Sequence, residues 1–514
     1  MSNRHVNVDA AVSGLKIYSF KGKEHLSKLF EYEVELVSEN GHLDVRDMLG
    51  TSLTIEIEMS LLQTRYLNGR VIGFELVGPD PDGSEYYIYK AKVVPNLWFL
   101  TKAKDYKIFQ EKKAEDIIKE VLDKYSIDYE FKLSGSYRNW EYLVQYEESP
   151  FDFISRLMEH EGMYYWFKHE KGSNKLVISD SAEAHEFLIG YQNLNYLKPT
   201  FALMDTNEVI SDWSHKAQVS PSKYSVIDFD FRKPSTSLDA NNENQLKNDD
   251  SVEVYEWQGG YQELSDGDNY AQLRIQELQV SQEIIEAKSN IRGVVPGYKF
   301  VLLNHPRLVE NNEYLVIGAE YDVVVHAYNT NDERKDKFAI NFKCIPMAVQ
   351  FRAPRTTKIP KTTGPQTATV VGPQGEEIYT DKYGRIKVQF HWDRDGKKDE
   401  NSSCWIRVSN IWANSGYGGL FIPRIGSEVI VDFIGGNPDR PIVVGCVYNE
   451  DYMPLMNLPD EKHTSGIRTR TIQGGSDNQN FLLFRDKQGD ELIDVQAERD
   501  MNIFVKNDFF LTVG

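Results

Sequence analysis

The chain has 514 residues, 40% of them hydrophobic, which is too long for one ordinary domain and supplies apolar material for two to four cores. Its formal charge of -20 repels phosphates, which disfavours generic binding to nucleic acid or to anionic membranes. The opening MSNRHVNVDAAVSGLKIYSF has no charged stretch leading into an apolar one, and no run approaches the roughly 18 apolar residues of a membrane span, so classical export and membrane insertion are not expected.

From Leu15 to about Val77, IYSF, LFEYEVELV, LTIEIEM and YLNGRVIGFELV are rich in β-branched and aromatic residues and broken by Gly and Asn, the signature of strands. A β domain therefore opens the chain. In AEDIIKEVLDKY, Ala114, Ile117, Ile118, Val121, Leu122 and Tyr125 recur at helical spacing and predict an amphipathic helix. A second helix is predicted over SPFDFISRLMEHEG: Ser149 and Asp152 form a capping box, Pro150 sits at the first helical position and Gly162 follows the last turn. MYYWFKHE and KLVISD resume the strand pattern. STSLDANNENQLKNDD, residues 235–250, is too polar to contribute a core and is read as an exposed loop or insertion. A third helix, roughly Asn269 to Ser281, precedes the strand-like KFVLLNH, NEYLVIGAEYDVVV and KFAINFKCI.

The texture changes at PRTTKIPKTTGPQT, residues 354–367, which is read as a domain boundary. Five short strands in the next stretch, ending at VVGCVYN, predict a small Greek-key barrel of the oligonucleotide/oligosaccharide-binding (OB) type. Within it, RIKVQFHWD alternates Ile386, Val388, Phe390 and Trp392 with Arg385, Lys387, Gln389, His391 and Asp393, which puts His391 and Asp393 on the polar face of a half-buried strand. Two ligands on one strand face are too few for a metal without a third. A calcium-loop register fails because Ser402 occupies the twelfth position where Glu is expected, so Asp395 and Gly396 are read as a turn. Trp392, Trp405, Trp412 and Tyr417 are read as packing or interdomain contacts rather than a stacking platform. Cys344, Cys404 and Cys446 lie far apart and are read as small core residues. HExxH, GxSxG and Walker A patterns are absent, and no catalytic residue, metal or cofactor is assigned.

The last segment repeats with a period of eight: Ile493, Val495, Ala497; Met501, Ile503, Val505; Phe509, Leu511, Val513. A ribbon of this kind exposes its apolar row and its unpaired edges, and three copies wound around one axis would bury all three rows. A single-chain solenoid or an antiparallel meander fits the alternation as well.

FKGKEHLSKLFEYEVEL, VVPNLWFLTKAKDYKIFQ, VQYEESPFDFISRLMEHEGMYYWF, DKYGRIKVQFHWDRDG, the long barrel stretch WIRVSNIWANSGYGGLFIPRIGSEVIVDFIGGNPDRPIVVGCVYN and the closing octads together resemble the VgrG family, the trimeric spike proteins of the type VI secretion system, similar to the hub and spike of contractile phage tails. The resemblance covers nearly the whole chain. It implies a mainly β protein with a few helices: an α+β hub at 1–360 with two tube-like barrel domains, an OB-fold barrel at 361–449, a linker at 450–480 and the start of a triple-stranded β-helix needle at 481–514, the native needle being longer. It also implies a homotrimer that caps an Hcp hexamer tube, contacts baseplate components, carries a PAAR-type tip and effectors, meets a target membrane transiently and binds no nucleic acid. Such a spike would be assembled in the cytoplasm and ejected by the machine, with the nine octad residues as its trimer core. The competing readings are a peptidoglycan hydrolase or sugar-binding module that uses the barrel, and the spike of a related phage-like injection machine.

Overall fold

Alternating apolar and polar residues decide most of the architecture. The computed structural model describes residues 5–59, 63–80, 85–198, 207–244, 252–325 and 336–514. It comprises two units, one of Met1–Asp105, Glu111–Trp140 and Glu147–Ile359, the other of Tyr106–Gln110, Glu141–Tyr146 and Pro360–Gly514.

The first unit is built on a 13-stranded sheet. Its strands run in the spatial order Val6–Ala10, Ser52–Glu58, Thr64–Pro79, Tyr87–Val94, Glu31–Ser38, Lys16–His25, Glu313–Val324, Lys337–Pro346, Glu283–Ser289 and Ile210–Ala217. Tyr298–Leu303 branches off Glu313–Val324 and carries two short parallel strands. One face is apolar: Phe20, Tyr32, Val34, Leu36, Tyr89, Val93, Tyr321 and Phe342 are all buried. Period-two alternation therefore sends the intervening residues to the opposite face. Beneath the apolar face, the buried Arg65 donates to the carbonyls of Arg292 at 2.9 Å and Val294 at 3.1 Å and to the Tyr321 hydroxyl at 2.6 Å. These bonds satisfy a charge that burial would otherwise penalise.

Three helices pack on this unit. Helix α1 (Ala114–Lys124) buries Ala114, Ile117, Ile118, Val121 and Leu122, and Tyr125 is half-buried, as the spacing predicts. Helix α2 (Pro150–Glu161) begins where Ser149 accepts from the Asp152 amide at 3.0 Å and ends at Gly162, whose φ of 74° is left-handed. Helix α3 (Leu264–Val280) starts five residues earlier than expected. It covers a sheet of Leu238–Glu243, Lys223–Asp228 and Glu253–Trp257. That sheet corrects the reading of 235–250 as a loop, because Leu238 and Ala240 alternate inward against Tyr261, Tyr270 and Leu273. Residues 245–250 of that stretch lie outside the described residues.

The second unit contains a five-stranded sheet in the order Lys387–Phe390, Gln366–Val371, Glu428–Phe433, Pro441–Val447, Arg407–Val408. Its first and last strands meet through an antiparallel bridge between Ile386 and Ile406, with reciprocal backbone bonds of 3.0 and 2.8 Å, so the sheet closes into a barrel. Ala368, Val370, Val388, Phe390, Val429, Val431 and Val443 fill the interior. Three further strands, Thr464–Arg470, Gln479–Arg485 and Leu492–Gln496, form an antiparallel meander. The stretch read as a linker, 450–480, thus holds a strand of its own.

Candidate assembly surfaces

At the end of the barrel strand Lys387–Phe390, Ile386, Val388 and Phe390 are buried and His391 is exposed, as alternation requires. His391 Nε2 lies 3.1 Å from the Thr367 hydroxyl. Asp393 turns away into its own loop: one carboxylate oxygen accepts from the Asp395 and Gly396 amides at 3.1 Å each, and the other accepts from Gln389 Nε2 at 3.0 Å. That use of Asp393 buries Gln389, which alternation alone had placed on the polar face. Asp393 is thereby a turn-forming residue. Among the described residues no group of three metal-ligating side chains converges.

The aromatic residues of the barrel divide into two sets. Trp392 stacks on Phe390 at 5.0 Å between ring centres, and Trp405 packs on Tyr379 at 4.8 Å. Trp412 and Tyr417 are 62% and 56% exposed on a small hairpin formed by Ala413–Asn414 and Tyr417–Gly418, with their ring centres 5.4 Å apart, and join no core of the single chain. The core reading of the cysteines holds for Cys344 and fails for Cys446, which is exposed near the end of Pro441–Val447, past the last interior residue of that strand, Val443.

The polar face of the large sheet carries columns of one sign. Lys90 and Lys92 stand beside Glu31, Glu33 and Glu35; next come Lys21 and Lys23, then Glu320 and Asp322, then Lys337 and Lys343. Ion pairs cross between neighbouring strands: Lys92 to Glu31 at 2.8 Å, Lys90 to Glu35 at 3.3 Å, Lys23 to Glu320 at 3.7 Å and Lys337 to Asp322 at 3.0 Å. Lys90 and Glu35, and Lys23 and Glu320, stand directly across their strand pairs and the other two pairs are diagonal; opposite charges so placed favour one register. Sequence reasoning missed this face, although FKGKEH and EYEVEL carry its period-two signal in plain form.

Of the nine octad residues the structure brings none into a core within the single chain. Ile493, Val495, Met501, Ile503, Val505, Phe509, Leu511 and Val513 are all exposed and Ala497 is half-buried. Ile467, Leu482 and Phe484 of the preceding strands are exposed too and extend the apolar surface beyond the residues the repeat identified. The barrel is tied to the start of this segment by Glu377, whose carboxylate accepts from Arg424 at 3.0 Å and from the Gln473 amide at 2.7 Å.

Three families match in chain order: the phage tail baseplate hub (GPD) at 23–327, the type VI secretion system/phage-baseplate injector OB domain at 367–448, and the bacteriophage T4 gp5 C-terminal trimerisation domain at 465–514. Similar curated proteins include the type VI secretion system spike protein VgrG1c of Pseudomonas aeruginosa, 41% identical over 99% of this chain and 70% of that protein. VgrG1a of the same organism is 40% identical over 99% of this chain and 80% of its own length. The actin cross-linking toxin VgrG1 of Vibrio cholerae is 32% identical over 97% of this chain but only 46% of that protein. Among solved structures, the E. coli c3393 protein, a type VI secretion component described as similar to the T4 tail proteins gp27 and gp5, superposes with a TM-score of 0.61 at 18% identity, covering 86% of this chain and 99% of its own.

Proposed function

Because the chain belongs to the VgrG family of type VI secretion system spike proteins, we propose that its nine octad residues form the shared core of the trimeric spike. The observation that carries this reading is the run of exposed apolar side chains from Ile493 to Val513, within the segment that matches a trimerisation domain. A chain of this charge does not leave so long an apolar row to water without a partner. Two further copies wound in parallel would cover it and would pair the free edges of the meander.

In this reading the first unit is the hub and sits on an Hcp hexamer tube, the barrel joins hub to needle, and the needle carries a PAAR-type tip with effectors. Baseplate components hold the trimer before firing. The machine then ejects it from the cytoplasm toward a target membrane, so the work is mechanical and not catalytic. The three matched families support that assignment, since each is a structural part of a contractile injector.

Sedimentation of the purified chain tests the core. Wild type should run at the mass of three chains, and Ile503→Asp should run at the mass of one, because three carboxylates would meet near a common axis without cations to pair them. An Ile503→Asp protein that stays trimeric with unchanged thermal stability removes Ile503 from the core.

A further inference from the structure

The needle segment is not the only apolar surface without cover on the second unit. The stretch from Asn410 to Phe421, NIWANSGYGGLF, folds into the hairpin that holds Trp412 and Tyr417. Ile411 is 87% exposed, Leu420 68% and Phe421 51%, alongside Trp412 and Tyr417. The hairpin is nevertheless held firmly. Gly419 donates to the Trp412 carbonyl at 2.9 Å, Asn414 donates to the Tyr417 hydroxyl at 2.7 Å, and the Phe421 amide donates to the Asn410 side chain at 3.2 Å. Gly416 and Gly418, at φ 75° and 134°, supply turn conformations that few other residues adopt. These bonds hold the turn in place, and the large apolar side chains are what the hairpin presents outward.

We propose that this hairpin is a second contact between copies of the chain, packing its apolar side against the neighbouring protomer's barrel. The proposal rests on the trimeric reading above. Two observations select another copy as the occupant. The first is continuity: Phe421 leads within three residues to Arg424, which pairs with Glu377 and also donates to the Arg470 carbonyl, while Glu377 holds the Gln473 amide. The base of the hairpin is thus anchored to the first residues of the segment that trimerises. The second is charge. Each copy carries -20, so like copies repel wherever ionised groups face each other, yet residues 410–421 contain no Asp, Glu, Lys or Arg. A contact between identical acidic chains requires an uncharged apolar patch of this kind, whereas capture of a basic partner would call for acidic groups.

The test uses the full chain with Cys446→Ser, which removes the exposed native thiol, and Leu420→Cys as the probe. A second protein carries Ser235→Cys, an exposed position in the first unit, as the accessible control. Maleimide labelling is followed by intact mass, and sedimentation of the same samples gives the oligomeric state. The expected result is a trimer in which the Leu420→Cys thiol labels about tenfold or more slowly than the control, as the water-excluded centre of an interface requires. A trimer in which it labels as fast as the control leaves the spike intact and overturns the hairpin contact, freeing this face for some other partner. A monomer overturns the trimeric reading itself and the hairpin contact with it.

Discussion

His185 sits in a buried pocket where one ring nitrogen lies 2.8 Å from the Gly297 carbonyl and the other 2.9 Å from the Tyr164 hydroxyl. Nδ1 faces the Gly297 carbonyl and so carries a proton, while the single Tyr164 hydroxyl proton is shared between Nε2 and the Ser181 carbonyl, also 2.9 Å from that hydroxyl. Burial pushes the His185 pKa down to about 4, helped by the charges of Lys132 and Lys299 and opposed by the Gly297 carbonyl. The sign follows directly. At pH 7 neither folded nor unfolded chain holds the proton; as pH falls below about 6.5 the unfolded chain takes it up and the folded chain does not. Stability should drop by about 1.4 kcal/mol per pH unit until the folded ring titrates near pH 4, a loss of about 3 kcal/mol in all. His185→Gln cannot titrate, so urea denaturation between pH 7 and pH 4.5 should show a smaller loss for the variant than for wild type. Nothing in the sequence around His185 marks it, because its partners Gly297 and Tyr164 are distant in the chain. His391 teaches the converse: a histidine beside carboxylates looks like chemistry when written out, until Asp393 is found spent on the amides of its own turn.

At the scale of elements, local structure is legible where capping or alternation fixes it. Helix α2 was legible to the residue, because Ser149, Pro150 and Gly162 each perform a task that depends only on near neighbours. Replacing Ser149 with alanine removes the oxygen that accepts from the Asp152 amide and should cost about 1 kcal/mol, measurable as a lowered denaturant midpoint. The strand Leu238–Glu243 was not legible, since its two inward residues are small or isolated among Asn, Asp and Glu. What makes it a strand is tertiary: Lys223–Asp228 supplies the ladder and α3 covers Leu238 and Ala240. The exposure of the hairpin at Ala413–Gly418 is not legible for a related reason. Aromatic residues are usually buried by their own chain, and exposure on a rigid turn cannot be told from composition.

At the scale of the molecule, the octad repeat marks a row of apolar side chains that one chain leaves uncovered. Periodicity showed which side chains share a row, but which chain covers the row lies outside any single sequence. The single chain leaves that row exposed. Stability of the needle should therefore depend on protein concentration. The thermal midpoint of wild type should rise as concentration is raised tenfold, by mass action on a trimer, and the midpoint of Ile503→Asp should not move. Coincident, concentration-independent midpoints for both proteins would argue that the row has no partner.

The charged face of the large sheet leads to a different kind of consequence. From Tyr87–Val94 to Lys337–Pro346 its columns alternate lysine with glutamate or aspartate, strand by strand. With strands about 4.8 Å apart, the pattern repeats every two strands, and the potential of such a grating fades over about 1.5 Å from the surface. That is several times shorter than salt screening alone achieves, about 8 Å at physiological ionic strength. A polymer of either sign sliding past this wall would feel no track and no brake, only hydrated charges whose fields cancel one another almost at the surface.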